Sequence, residues 1–141
     1  MLFGNDRNQI RRFYCEAWRK FSLGLPLEPL EDLVATVISE HPEYHHLLEV
    51  PEQALERDYS PQMGDTNPFL HMGMHIAIRE QLGIDRPAGI LRDYQTALAR
   101  LGDAHELEHR MMECLAEMIW QAQRNGTAPD ETAYLECVRQ L

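Results

Sequence analysis

Asn67-Pro-Phe-Leu-His-Met-Gly-Met-His-Ile-Ala-Ile78 is the stretch that decides the fold. Asn67 has the side chain of a helix N-cap, and Pro68 suits the first helical position, where no backbone donor is needed. Wound at about 100° per residue, the apolar side chains from Phe69 to about Leu82 surround the axis almost completely until Arg79. A helix apolar on all sides belongs in the middle of a core. No segment shows a useful length of the two-residue alternation of a half-buried strand. The chain is therefore expected to be all-α, with this helix at its centre.

The neighbouring segments support that reading. Downstream, Asp85-Arg-Pro87 opens a helix with the stripe Ile90, Leu91, Tyr94, Ala97, Leu98 and Leu101. Gly102 stops it, and Asp103 with Glu106 forms a capping-box pattern for the next, from about Ala104 to Arg124. Its apolar arc carries Leu107, Met111, Met112, Cys114, Leu115 and Met118. A last short helix from about Asp130 docks through Tyr134 and Val138. Upstream, a helix from about Arg7 to Leu23 presents Ile10, Phe13, Tyr14, Ala17, Trp18 and Phe21. A second starts near Pro29 and presents Leu30, Leu33, Val34, Val37 and Ile38. His41 continues that stripe, but Pro42 disfavours helix at His41, so a break and a short helix through His45 and Leu48 are expected. Pro51 to Glu56 predicts a further short helix, and Ser60-Pro61 and Met63-Gly64-Asp65 predict loop. The sum is a helical bundle of four to five main helices in one domain, residues 1–141.

Composition narrows the function classes. Asp and Glu outnumber Lys and Arg 23 to 13, for a net charge of −10. A nucleic-acid binder needs cations to displace phosphate counterions, and an anionic membrane needs them too, so neither is an expected partner. No run approaches the ~20 apolar residues of a membrane span. Charges enter within six residues of the start, which does not fit a signal peptide. Cys15, Cys114 and Cys137 show no Cys-x-x-Cys spacing and are expected to be reduced thiols in a cytoplasmic protein.

The histidines carry the chemistry. Six of the seven fall into pairs four residues apart: His41/His45, His71/His75 and His105/His109. Chance placement gives roughly 0.3 such pairs. Four apart on a helix sets two imidazoles on one face, within reach of one ion. His71 and His75 lie on the helix with the least polar surface, where each imidazole needs a partner. A metal is one such partner, and backbone or side-chain groups are the other. His105 and His109 sit in the first turns of their helix, where the N-terminal dipole favours the neutral, ligating form. Glu108 projects into the apolar arc, between Leu115 and Met112, so it needs either a cation or an arginine from another helix. Pro42 separates His41 from His45, so helical spacing there is not assured. His105-Glu-Leu-Glu-His109 fits the H-E-x-x-H pattern of zinc metalloproteases. The protease reading fails because Glu106 is committed to the helix cap and the polar arc, and no strand edge is present to hold a peptide.

Asn67-Pro-Phe-Leu-His-Met-Gly-Met-His75, with Arg79-Glu-Gln81, Arg86-Pro87, His41-Pro-Glu-Tyr-His45 and Trp120, resembles a family of small proteobacterial proteins known as a domain of unknown function. The resemblance covers most of the chain. It implies a bacterial cytosolic protein and implies no activity. Histidines on several helices are also similar, at the level of architecture, to hemerythrin-like bundles, but the hemerythrin ligand pattern does not occur here in order. The Glu-x-x-His of diiron proteins is met literally by Glu106 and His109, with Glu106 on the polar face. Function does not pass along such an analogy.

The expected centre is a His/Glu metal site built from His71, His75, His105, Glu108 and His109, completed by His45 or His41. Mixed imidazole and carboxylate ligation suits Zn, Fe, Mn or Ni. An ion there would serve a metal-dependent hydrolase or an oxygen- or redox-linked protein. The rival is a non-catalytic interaction module, partnered by protein, small molecule or its own copies, whose histidines fill polar gaps in the core. A third reading is a pH sensor, since clustered histidines repel when protonated.

Overall fold

The structure, a computed structural model, describes residues 7–59 and 67–141. The loop expected at Ser60-Pro61 and Met63-Gly64-Asp65 lies outside them. The described residues form eight α-helices and one 3₁₀ turn, without a strand: α1 (Arg7–Ser22), α2 (Pro29–Ser39), the turn (Pro42–Tyr44), α3 (His45–Glu49), α4 (Pro51–Glu56), α5 (Pro68–Ile84), α6 (Ile90–Leu101), α7 (Ala104–Asn125) and α8 (Glu131–Arg139). The all-α class holds. Eight helices exceed the four to five main ones expected; the count includes the short α3, α4 and α8, which bury Leu48, Ala54 and Tyr134.

Two compact units divide the chain, Met1–Ile76 and Ala77–Leu141. In the first, α1 packs along α2, α3 and α4. Tyr14, Cys15, Ala17, Val34, Val37, Ile38, Leu48, Ala54, Phe69, Met72 and Ile76 make its core, which realises the apolar stripes of the sequence. Buried Arg11 satisfies the end of α4, donating through Nη1 to the carbonyls of Ala54 (2.8 Å) and Arg57 (2.7 Å). Its guanidinium lies 4.8 Å from the Phe69 ring centre. A cation at a helix C-terminus, seated on an aromatic face, is favourable on both counts. Asn67 caps α5 as expected, accepting from the backbone N–H groups of Phe69 (3.0 Å) and Leu70 (3.2 Å). From Pro68 to Leu82 that helix exposes Leu70 and Glu80 alone, as its apolar sequence predicts.

In the second unit, α6, α7 and α8 pack on one another. The sequence started α6 too early. Asp85, at φ 52°, accepts from the N–H groups of Gly89 and Leu91 (both 3.1 Å), so the cap holds an extra loop ahead of Ile90. Asp103 caps α7 through Glu106 N (3.1 Å). The reciprocal half of the box is replaced by an ion pair, because Glu106 turns to Arg110 one turn on (3.1 Å).

Two of the three cysteines overturn the expectation of reduced thiols. Cys114 and Cys137 form a disulfide between α7 and α8, with Cα atoms 5.8 Å apart. Cys114 stands twelve residues before Gly126 and Cys137 eleven after it, so a helical hairpin turning at Gly126 sets them opposite each other. Motif spacing such as Cys-x-x-Cys does not register that symmetry. The inference from thiols to a reducing compartment loses its ground. Cys15 is free and buried. No helix of the described residues is long and apolar enough to cross a membrane.

Candidate metal centre

Among the described residues, one group of side chains could hold a metal ion: His41, His71 and His75, with one donor atom each, all within 4.8 Å of one another. His71 and His75 owe their places to α5. One helical turn separates them, and their Nε2 atoms share an N–H···N hydrogen bond at 3.2 Å. Bonds of about 2.05 Å at a tetrahedral angle place two ligand nitrogens about 3.3 Å apart, so this pair already has the span of a chelate.

His41 comes from the break after α2. Its backbone, at φ −124° and ψ 68°, has left the helix, as a residue before proline does. Its side chain turns back and Nδ1 donates to the carbonyl of Val37 at 2.7 Å. A carbonyl only accepts, so Nδ1 carries a proton, and in the neutral ring the lone pair is then on Nε2. Binding one ring nitrogen to a backbone carbonyl is the usual way a protein orients a metal-ligating imidazole. The His41 ring centre lies 4.8 Å from that of His75 and 5.3 Å from that of His71. His75 is 1 % exposed, His41 is buried and His71 is half-buried, so access to the group is on the His71 side.

Tyr44, from the 3₁₀ turn, lies parallel to the His41 ring (5.7 Å, 7°) and edge-on to His71 (6.2 Å). Burial, and then the charge of Glu43, pushes its phenol up from the ordinary value, so it stays neutral.

The other expected ligands have places of their own. His45 Nε2 donates to the carbonyl of Ile38 (2.8 Å) and its ring packs 4.3 Å from Trp18. It is not part of the group of three. His105 and His109 lie on α7 in the second unit, ring centres 4.4 Å apart and edge to face. Glu108, between them and buried, receives Arg79 Nε on both oxygens (3.1 and 3.3 Å). The arginine partner weighed for Glu108 from the sequence is therefore present. Sequence reasoning missed Trp18 and Tyr44 as companions of histidines. Tyr44 left a faint signal, since it sits between His41 and His45, and Trp18 left none.

Residues 6–140 match the domain of unknown function DUF1841. The chain belongs to that family. The expected resemblance holds over nearly the whole length, and the DUF1841 description carries no activity. No curated protein and no solved structure matches the chain.

Proposed function

We propose that this DUF1841 protein binds a divalent first-row metal ion through His41, His71 and His75. One observation carries the reading: donor atoms from two separate segments converge within 4.8 Å in a buried region, with the two on α5 already 3.2 Å apart. Three neutral imidazoles suit Zn²⁺, and equally Fe²⁺ or Ni²⁺. Mn²⁺ prefers oxygen, and its claim rests on a carboxylate joining the shell. The wider ligand set, His45, His105, Glu108 and His109, rests on sequence pattern, and the metal content of single variants tests it residue by residue. With a water or substrate among its ligands, such an ion supplies Lewis-acid or hydrolytic chemistry.

Elemental analysis of untagged protein is the test. Near-stoichiometric metal in the wild type and its loss in His71→Ala/His75→Ala are expected. Absence of metal from the wild type after anaerobic reconstitution would sink the reading. A second reading, a non-catalytic module with structural histidines, is favoured by one observation: His41 and His45 each satisfy a backbone carbonyl. It expects no metal and an unchanged partner profile in the same variant.

A further inference from the structure

We propose that His45 is a positioning residue for the His41–His71–His75 centre: its Nε2–H, bonded to the Ile38 carbonyl and backed by Trp18, fixes the turn that presents His41. This rests on the metal reading above.

The need for such a brace follows from Pro42. In a continuing helix, the Ile38 carbonyl would accept from the N–H of residue 42, and Pro42 has none. The Val37 carbonyl would accept from His41 N–H, but that donor is drawn to Ile38 (2.9 Å). At the end of α2 both carbonyls thus lose their helical i+4 donors and keep only tighter backbone ones, Glu40 N on Val37 (3.2 Å) and His41 N on Ile38, and an imidazole adds a second donor to each. His41 Nδ1 bonds Val37 at 2.7 Å, and His45 Nε2 bonds Ile38 at 2.8 Å. The Ile38 oxygen therefore receives both the backbone of the candidate ligand and the side chain of His45. Between them, Tyr44 N donates to His41 O (2.9 Å), which closes the turn on itself.

The ring of His45 is held from behind. Trp18, on α1, lies 4.3 Å away with its plane tilted by 35°. The tryptophan in turn stacks on Phe21 at 5.4 Å. His45 is thereby fixed with its Nε2 proton on a carbonyl, a posture that withholds that nitrogen from an ion. It acts on the metal through the placement of His41, as hydrogen-bonding partners behind metal ligands do.

The test is a cobalt(II) titration of the full chain, read in the visible spectrum, for wild type, His41→Ala, His45→Phe and His45→Gln. Phenylalanine keeps the ring on Trp18 and lacks the donor, while glutamine places an amide N–H near the Nε2 position. Expected are unchanged cobalt band positions and intensities in both His45 variants. Affinity should fall about 10- to 100-fold in His45→Phe and return to within a few-fold of wild type in His45→Gln. In parallel, ¹⁵N NMR of the metal-free wild type should place the proton on Nε2 of His45 and on Nδ1 of His41, an arm that needs no variant to fold. Three results overturn the proposal: a cobalt spectrum of His45→Phe altered in the way His41→Ala alters it, wild-type affinity in His45→Phe, or the His45 proton on Nδ1. A wild type that takes up no cobalt overturns the metal reading and this proposal together, whereas uptake with no His45 effect overturns this proposal alone.

Discussion

Arg79 and Glu108 form an ion pair in which one guanidinium nitrogen serves both carboxylate oxygens, at 3.1 and 3.3 Å, while Glu108 is 8 % exposed. The pair joins α5 to α7 across 29 residues. Taking one member of a buried pair away strands the other charge, which costs about 3–5 kcal/mol in a dry interior. The Arg79 side chain keeps 23 % of its exposure, so water screens part of that cost. Glu108→Leu alone should lose about 2–3 kcal/mol in urea denaturation, and Arg79→Met/Glu108→Leu should recover most of it. A single variant within 0.5 kcal/mol of wild type, roughly the range of an ordinary surface change, would show that the pair is not a structural one.

This carboxylate also shows how far the sequence could be read. Its burial was legible, because Glu108 falls in the apolar arc between Met112 and Leu115. Its partner was not, because periodicity says which face is covered and is silent on what covers it. The same divide runs through the histidines. Helical spacing brought His71 and His75 together, and the stripe of α2 pointed His41 inward. Only the geometry after Pro42 separates His41 from His45, and a proline break has no period from which to read a side chain's direction. The start of α6 was misplaced for a related reason. Asp85 caps it from a positive-φ turn that a Pro-at-first-turn rule does not anticipate.

Tyr134 predicts alkaline instability. It is fully buried and donates to Gln81 Oε1 at 2.6 Å. Burial raises its ionisation well above the ordinary 10.0. The folded state then holds a proton that the unfolded state releases, so this contribution is complete below pH 10 and declines as pH rises beyond it. Tyr44 and Tyr94 shift in the same direction, so they add to the same decline. Tyr134→Phe should cost about 1–2 kcal/mol at pH 8, through the lost hydrogen bond. The variant should also lose stability less steeply than wild type between pH 10 and 11.5, by urea denaturation at several pH values. Equal slopes would contradict the assignment to Tyr134.

Gly73 and Gly83 sit on the same helix and predict opposite responses to alanine. A Cβ at Gly73 would stand 3.3 Å from Tyr14 Oη, and one at Gly83 meets nothing within 4 Å. Alanine is worth about 0.5–1 kcal/mol over glycine inside a helix, so Gly83→Ala should stabilise by up to that amount, less any loss from its place near the helix end. At Gly73 the gain is offset by displacing the buried Tyr14, whose neighbours leave little room. Gly73→Ala should therefore be neutral or destabilising, and should weaken metal uptake by shifting the turn that carries His71 and His75. Thermal melts and cobalt titrations on the two variants check this, and a Gly73→Ala protein stabilised as much as Gly83→Ala would contradict it.

The Cys114–Cys137 bond predicts both a thiol count and a stability. Denatured without reductant, the chain should show one reactive thiol, Cys15, out of its three cysteines. The bond closes a loop with a sequence separation of 23. Restricting an unfolded chain by a loop of that length stabilises the fold by about 3 kcal/mol in the chain-entropy account. Cys114→Ser/Cys137→Ser should lose an amount of that order, and a reductant should have no further effect on the variant. The fold itself should survive, because α8 keeps its other ties: Arg139 to Asp93 at 3.0 Å, Arg100 to the Arg139 carbonyl at 2.9 Å, and the Tyr134–Gln81 bond. Three reactive thiols in freshly isolated protein would mean that the pair stays reduced where the protein works, and would restore the reading of a reducing compartment. One reactive thiol, with the double variant several degrees less stable, would place the working protein where disulfides persist.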